Sequence, residues 1–360
     1  MVESTQKPVV VITGVSGYLG SHVALAFLKD GAYQVRGTVR STSNETKIAP
    51  LRKAFGEWFS QMTLVEADLE KKDSIIAAIS GADYVVHTAS PFPLQQPKDE
   101  QDLIRPAVQG TLAVMEGCKA NKVKRVVITS SIAAIMNSRA ENRPKDLRFT
   151  EQNWSEADNN PDIEAYSKSK TLAERAAWDF QAALPEAERF EIATINPSLI
   201  LGPAFVGAGF SSGDVILKFM NGGMPAIPRA QIMCVDVRDC ADAHVQALKR
   251  PEAANKRFIL CHSCLWIDDI AAILAKEFNG KGYSVTQRQL PRWVASFASY
   301  FFKDLNLVLK NWGKEFTFVN EQSRQVLGLP YSIPMERTVN EMVYSMIETG
   351  VIPNKLPKNK

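Results

Sequence analysis

The stretch Val9-Val10-Val11-Ile12-Thr13-Gly14-Val15-Ser16-Gly17-Tyr18-Leu19-Gly20 decides the fold. Val9–Thr13 is a continuous β-branched run closed by a glycine, the pattern of a strand buried on both faces. Tyr18–Lys29 follows with helical periodicity. Between them the glycines fall as G-x-x-G-x-x-G. Gly14 suits a tight turn, Gly17 lets backbone approach a pyrophosphate, and Gly20 lets helix and sheet pack closely. The helix N-terminus adds amide donors and the positive end of its dipole. A glycine triplet alone is an ordinary turn; between a buried strand and a helix it predicts a dinucleotide site.

Outward from this unit the same alternation continues. Gln34–Arg40, Thr63–Ala67, Tyr84–His87, Arg125–Thr129 and Glu191–Ile195 read as strands, with helical stretches over Asp73–Ile79, Leu103–Lys119 and Ser167–Leu184. Continuous apolar strands separated by helices predict an α/β fold: a doubly wound parallel sheet of the Rossmann type. The dinucleotide-binding domain is expected over residues 1–203, with returns near 234–250 (a short strand, then a helix through Ala241–Leu248) and 256–261. A smaller, mostly helical substrate-binding part is expected over 204–350, with loops and short helices in 204–230. Residues 351–360 read as a polar tail.

Composition narrows the function classes. The 360 residues are 45% apolar and 22% charged, as in ordinary globular proteins. The 42 Lys and Arg against 39 Asp and Glu are mixed along the chain, so no nucleic-acid footprint is expected. Aliphatic runs stop far short of the roughly 18 residues of a membrane span, and the N-terminus lacks a secretory pattern. Five cysteines, an odd number, suit a reduced, cytoplasmic protein. Cys261-His262-Ser263-Cys264 has CxxC spacing but no second ligand pair, so buried or strand-end thiols are expected there and no metal.

The second strand ends in Arg40, where an NAD site would carry a carboxylate. Arg36 on the same strand and Lys47 in the following loop add positive charge. A guanidinium binds a 2′-phosphate bidentately, so the cofactor expected is NADPH. Asp68, after the third strand, suits either an adenine amino group or a turn. Further along, Tyr166 and Lys170 stand one helical turn apart on one face, while Lys168 points elsewhere. An ammonium beside a phenol is expected to lower its pKa from about 10, so that it exchanges a proton with a substrate oxygen. Ser130 and Ser131 close the fifth strand, at the sheet edge where such folds place their sites; a serine there would polarise a carbonyl or simply make a turn.

TGVSGYLGS, GTVR, EADL, VVHTASP, VVITSS, YSKSKTLAERAAW and INPSLILGP, in this order, resemble the extended short-chain dehydrogenase/reductases, and within them the dihydroflavonol 4-reductase-like branch of aldehyde, cinnamoyl-CoA and methylglyoxal reductases. The resemblance implies a catalytic triad of Ser131, Tyr166 and Lys170. It implies backbone contacts to NADP from Gly17, Tyr18 and Leu19, Arg40 and Lys47 at the 2′-phosphate, and Asp68 with Leu69 around adenine. Thr88, Ala89 and Ser90 would line the ribose and nicotinamide, with Tyr166 and Lys170 beside them, and Pro197, Ser198 and Leu199 would hold the carboxamide. Two departures narrow the substrate. The NWYCYGK signature of cinnamoyl-CoA reductases is replaced by EAYSKSK, which speaks against a CoA thioester. The Asn used by flavonoid reductases would fall at Met136, with Asn137 beside it.

The expected activity is reduction of an aldehyde or ketone of a small, largely apolar substrate. Phe92, Met136, Phe205, the loop 204–215 and helices near 291–309 are expected to wall the pocket. Tyr300, Phe301 and Phe302 are expected to pack mostly in the core, with an apolar lid as the alternative. The rival readings are a 3β-hydroxysteroid dehydrogenase/isomerase-like enzyme, a sugar-nucleotide epimerase or dehydratase, and a non-catalytic NADP-sensing protein. The epimerase reading conflicts with Arg40. The dehydratase reading lacks an acidic pair after Ser131, where Ile132 and Ala133 stand. The sensor reading must explain why both Tyr166 and Lys170 are present. No nucleic-acid or membrane partner is expected, and the chain would act as a monomer or a homodimer, with Ala173 and Ala177 as a candidate pairing stripe.

Overall fold

The computed structural model describes residues 7–90, 99–158, 160–207, 211–302 and 304–357. Its main sheet holds seven parallel strands. They are β1 (Val9–Thr13), β2 (Gln34–Val39), β3 (Met62–Glu66), β4 (Tyr84–His87), β5 (Arg125–Thr129), β7 (Glu191–Pro197) and β10 (Lys256–Leu260), in the spatial order β3-β2-β1-β4-β5-β7-β10. The two-residue β6 (Arg148–Phe149) pairs instead with β12 (Thr317–Phe318). The helices α1 (Tyr18–Asp30), α2 (Glu45–Phe55), α3 (Lys72–Ile79), α4 (Gln101–Ala120), α5 (Ala165–Ala183) and α7 (Val237–Lys249) belong to this half.

β1 shows why the sheet is doubly covered. Its successive side chains point to opposite faces: Val10 and Ile12 join the core that contains Phe27, Val127 and Phe258, and Val11 joins the core that contains Val85, Met115 and Ala177. All three valine and isoleucine side chains are fully buried, each contributing about 1.5–3 kcal/mol relative to exposure. The order reverses between β1 and β4, the crevice where ligands bind in such sheets.

A second core lies around a three-stranded sheet of β11 (Ser263–Trp266), β9 (Gln231–Asp236) and β8 (Leu199–Leu201). It packs on α6 (Ser211–Met220), α8 (Ile267–Phe278) and α12 (Met335–Glu348) through Phe219, Leu274, Phe278, Val339, Met342 and Met346. The stretch expected as a polar tail is tied into it: Ile352 is buried there, and the Tyr283 hydroxyl donates to the Pro353 carbonyl at 2.8 Å. The remaining helices are α9 (Arg292–Ala298), α10 (Asp304–Lys310) and α11 (Glu321–Leu327).

One expectation is overturned here. Tyr300, Phe301 and Phe302 pack in no core; they are 83%, 71% and 65% exposed, and Trp293 and Phe297 on α9 are equally open. Ala295 is the one fully buried residue of α9 among those described, and the aromatic contact seen in the segment is between its own rings, Phe297 and Phe301.

Candidate active site

A cavity of about 640 Å³ opens at the carboxyl ends of β1, β2 and β4. The glycine turn forms its floor. Gly14 has φ +74°, a conformation that favours glycine, and a Cβ there would press on Ala89. At Gly20 a Cβ would collide with the Gly14 carbonyl and lie 2.8 Å from Thr88 Oγ1. Gly17 adopts extended backbone and precedes α1, whose first turn, Tyr18, Leu19 and Gly20, faces the cavity. Tyr18 contributes main chain there, because its buried hydroxyl donates to the Gly202 carbonyl at 2.9 Å.

Arg40, Lys47, Asp68, Leu69, Thr88, Ala89 and Ser90 also line the cavity. Among the described residues neither Arg40 nor Lys47 forms a salt bridge. Arg36 does not belong to the group: its guanidinium donates to the Ala78 and Ser80 carbonyls at 2.9 and 2.7 Å and closes the end of α3. Asp68 also makes a turn, its Oδ1 accepting from the Glu70 N–H.

Beyond the cavity, the two serines that follow β5 take different roles. Ser130 Oγ donates to buried Glu174 at 2.5 Å. Ser131, in extended conformation, caps a short turn at Ile132–Ala134 by accepting from the Ala133 N–H at 3.1 Å, and its hydroxyl is hydrogen-bonded to Tyr166. Lys170, one turn after Tyr166 in α5, reaches the cavity wall, its Nζ donating to Ser90 Oγ at 3.1 Å. Its charge also reaches buried His87, whose pKa is held near 3 by burial first and by Lys170 second. Pro197, Ser198 and Leu199 lie at the β7–β8 bend and do not line the cavity. Ser198 N–H donates to the Leu260 carbonyl, and Asn196 ties β7 to the Ser131 carbonyl at 3.2 Å.

Electrostatics correct one expectation. The Tyr166 hydroxyl sits above its ordinary pKa: burial disfavours the phenolate more than the Ser131 hydrogen bond favours it. Lys170 is itself pulled down to about 8 by burial, with Glu174 opposing, and its ammonium is engaged with Ser90. One expected wall residue lies off this cavity. Phe205 does not line the cavity but stacks on His22 with ring centroids 4.0 Å apart; Val206 and Gly207 line it instead. Phe92 and residues 208–210 of the loop lie outside the described residues. Met136 packs half-buried beside Ile132, and Asn137 is spent on Ser167 Oγ at 3.1 Å.

The sequence reading missed Glu174. It stands one turn after Lys170 and accepts from Ser130, Thr194, Asn196 and Arg257 (Nε at 2.6 Å) while essentially fully buried. The spacing Tyr166–Lys170–Glu174 carried the signal; the partner Arg257, on the last strand, did not show.

A glycine turn between β1 and α1 and a cavity at the switch point, with Lys170 bonded to Ser90 in its wall, define a dinucleotide-binding α/β protein. The chain belongs to the NAD dependent epimerase/dehydratase family, whose model matches residues 10–261. It is 34% identical over 340 residues to cinnamoyl-CoA reductase 2 of Arabidopsis thaliana, covering 93% of this chain and 97% of that one. It is 32% identical over 286 residues to the NADPH-dependent methylglyoxal reductase GRE2 of Saccharomyces cerevisiae, covering 75% and 82%. Among solved structures, Gre2 of Candida albicans in complex with NADPH superposes with a TM-score of 0.75 at 28% identity, covering 95% and 99%.

Proposed function

We propose that this protein is an NADPH-dependent oxidoreductase that reduces the carbonyl of a small, largely apolar aldehyde or ketone. The observations that carry the reading are the hydrogen-bonded Ser131–Tyr166 pair and, one helical turn on from Tyr166 in α5, Lys170, whose Nζ donates to Ser90 in the wall of the glycine-turn cavity. The residues present fit the cofactor. Gly14 and Gly20 let the turn pack closely against Ala89 and Thr88 where a Cβ would clash, so main chain rather than side chains faces the cavity, and Arg40 and Lys47 stand at its rim without a carboxylate partner among the described residues. Gly17, Tyr18 and Leu19 would hold the pyrophosphate by main-chain groups, Arg40 and Lys47 the 2′-phosphate, Asp68 and Leu69 the adenine end. Thr88, Ala89 and Ser90 would flank the ribose and nicotinamide, and Pro197, Ser198 and Leu199 the carboxamide. When bound, NADPH supplies a hydride.

The chain's own residues do the rest. Ser131 and Tyr166 each donate a hydrogen bond to the substrate oxygen, and these bonds strengthen as negative charge develops there, so they favour the transition state over the ground state. Tyr166 then gives up its proton. Its raised pKa keeps the hydroxyl protonated and ready to donate, and the Lys170 ammonium, one helical turn on, would stabilise the phenolate left behind. Met136, with Val206 and Gly207 at the cavity edge, would contribute to the apolar wall.

Tyr166→Phe tests the reading. Followed by NADPH oxidation over a panel of aldehydes, diketones, flavonoids and steroids, the wild type should turn over at least one class. The variant should lose about 100- to 1000-fold in kcat, the scale of one lost donor to developing charge, with NADPH affinity retained. Full activity in the variant, or no turnover of any carbonyl by the wild type, would overturn it.

A further inference from the structure

The CxxC at the end of the last main strand is more than two adjacent thiols. Cys261 follows β10 and is buried, 4% exposed; Cys264 sits in β11 and is half-buried, within reach of solvent. Their sulfurs lie 3.9 Å apart and share a hydrogen bond. The three other cysteines, Cys118, Cys234 and Cys240, are fully buried. We propose that Cys261 and Cys264 form a reversible dithiol–disulfide site, with Cys264 as the attacking sulfur and Cys261 as the resolving one. The proposal stands apart from the reductase reading, since it concerns sulfur chemistry alone.

The surroundings assign the two roles. Cys264 sulfur accepts from the Cys261 thiol and from main chain at Phe318, and both favour its thiolate, which lies below the ordinary cysteine pKa; the Cys261 thiol is pushed up correspondingly. A thiolate that solvent can reach is the reactive form, and a neighbouring protonated thiol is the partner that closes the bond. With a small-molecule disulfide as oxidant the steps balance. Cys264 thiolate attacks one sulfur of the oxidant, forming a mixed disulfide and releasing one thiolate. Cys261 loses its proton and attacks the Cys264 sulfur, releasing the second thiolate. The protein pair is oxidised by two electrons, and the oxidant is reduced to two thiols.

The pair is well placed to transmit a change. Cys261 and Cys264 pack in one apolar cluster with Ile132, Ile135 and Met136, the turn that directly follows Ser131. The Cys261 carbonyl accepts from Asn320 Nδ2 at 2.7 Å, and the residue before it accepts from Ser198 N–H. Drawing the sulfurs into a bond therefore pulls on the β10–β11 connection and on the serine turn together.

The test uses the full chain and glutathione disulfide. After incubation and digestion with trypsin, the peptide spanning residues 258–276, which contains Cys261 and Cys264 and no other cysteine, should be about 2 Da lighter, reverting with dithiothreitol. Cys261→Ser should stop at a glutathione adduct on Cys264. Cys264→Ser should leave the peptide reduced over the same time, and Cys234→Ser should still give the lighter peptide. A wild-type peptide that stays reduced, one that accumulates the glutathione adduct, or a bond from Cys264 to Cys234 would each overturn the proposal. Thermal melts of each variant show whether it is folded, and the Cys261→Ser adduct keeps the test decisive should Cys264→Ser misfold.

Discussion

α5 and the α9–α10 arm break the usual inside–outside rule in opposite directions. α5 buries Ser167, Ser169, Thr171 and Glu174, polar side chains that normally face water. The arm exposes Trp293, Phe297, Tyr300, Phe301 and Phe302. The difference lies in their partners. Each buried group on α5 is matched: Thr171 Oγ1 donates to the Ser167 carbonyl at 2.7 Å, and the Glu174 carboxylate accepts from Ser130 just after β5, Thr194 and Asn196 of β7, Arg257 of β10 and Trp178 of α5 itself. Desolvation is thereby offset by charge-assisted hydrogen bonds. Among the described residues the arm meets no opposing apolar surface, and its aromatic side chains stay exposed. Polar burial here marks rigidity beneath the active-site helix; apolar exposure marks a segment that contributes little to folding.

The largest expected effect breaks the matched side. Glu174→Ala would strand the Arg257 guanidinium, which is 9% exposed and otherwise held by the Glu151 and Asn153 carbonyls at 2.6 and 2.7 Å and by the Trp154 ring. Removing one partner of a buried pair costs about 3–5 kcal/mol. Urea unfolding should show the midpoint falling by that equivalent with an unchanged slope. A loss below about 1 kcal/mol would mean that the network is no tighter than a surface ion pair.

Acid should attack the same side next. His22 and His244 are buried and neutral, with pKa values lowered by burial to about 4, and His87 is held near 3. The unfolded chain protonates its histidines near 6.5, whereas the folded one does so two or more units lower. The stability they secure is therefore full above pH 6.5 and is lost progressively down to their folded values. Each contributes a slope of about 1.4 kcal/mol per pH unit across that window. Unfolding free energies measured from pH 7.5 to 4.5 should fall with a slope of more than one proton, and His244→Gln should reduce it.

At the other edge of the pH range the active site itself gives way. Burial lowers the Lys170 amine to about 8, so its ammonium is lost as pH rises through that value, and with it the stabilisation proposed for the Tyr166 phenolate. kcat/KM for carbonyl reduction should decline about tenfold per unit above pH 8. Lys170→Arg should move that limb upward, because a guanidinium stays charged there. A flat profile to pH 10 would show that Lys170 keeps its proton through another contact.

How far the sequence reaches follows from the same contrast. β1, β4 and β5 were readable because both faces of each strand are apolar, and Gly14 and Gly20 because close packing forces their identity. β7 ran two residues further than its apolar pattern, since Asn196 and Pro197 pair with Ile259 and Leu260 of a strand sixty residues later. Arg36 shares a strand face with Arg40, so period alone placed both at the rim. Only the position of α3 shows that Arg36 reaches its carbonyl groups. The Tyr166 pKa was misjudged because spacing reveals a neighbouring charge but not desolvation. The stacking of Phe205 on His22 was not legible, because the two lie far apart in sequence.

The smallest expected effect belongs to the arm. Phe301→Ser and Tyr300→Ser remove side chains that water already surrounds, so neither a cavity nor a lost transfer term follows, and surface substitutions of this kind stay within about 0.5 kcal/mol. Phe258, fully buried in the main core, is the counterpart: truncation to Ala should cost about 3–5 kcal/mol. Measured side by side in urea, the two classes should separate by at least a factor of five. If the arm variants instead cost 2 kcal/mol or more, the aromatic cluster is covered in solution and the contrast with α5 dissolves. If they leave stability unchanged but alter KM for an apolar carbonyl, the arm meets substrate while contributing nothing to the fold.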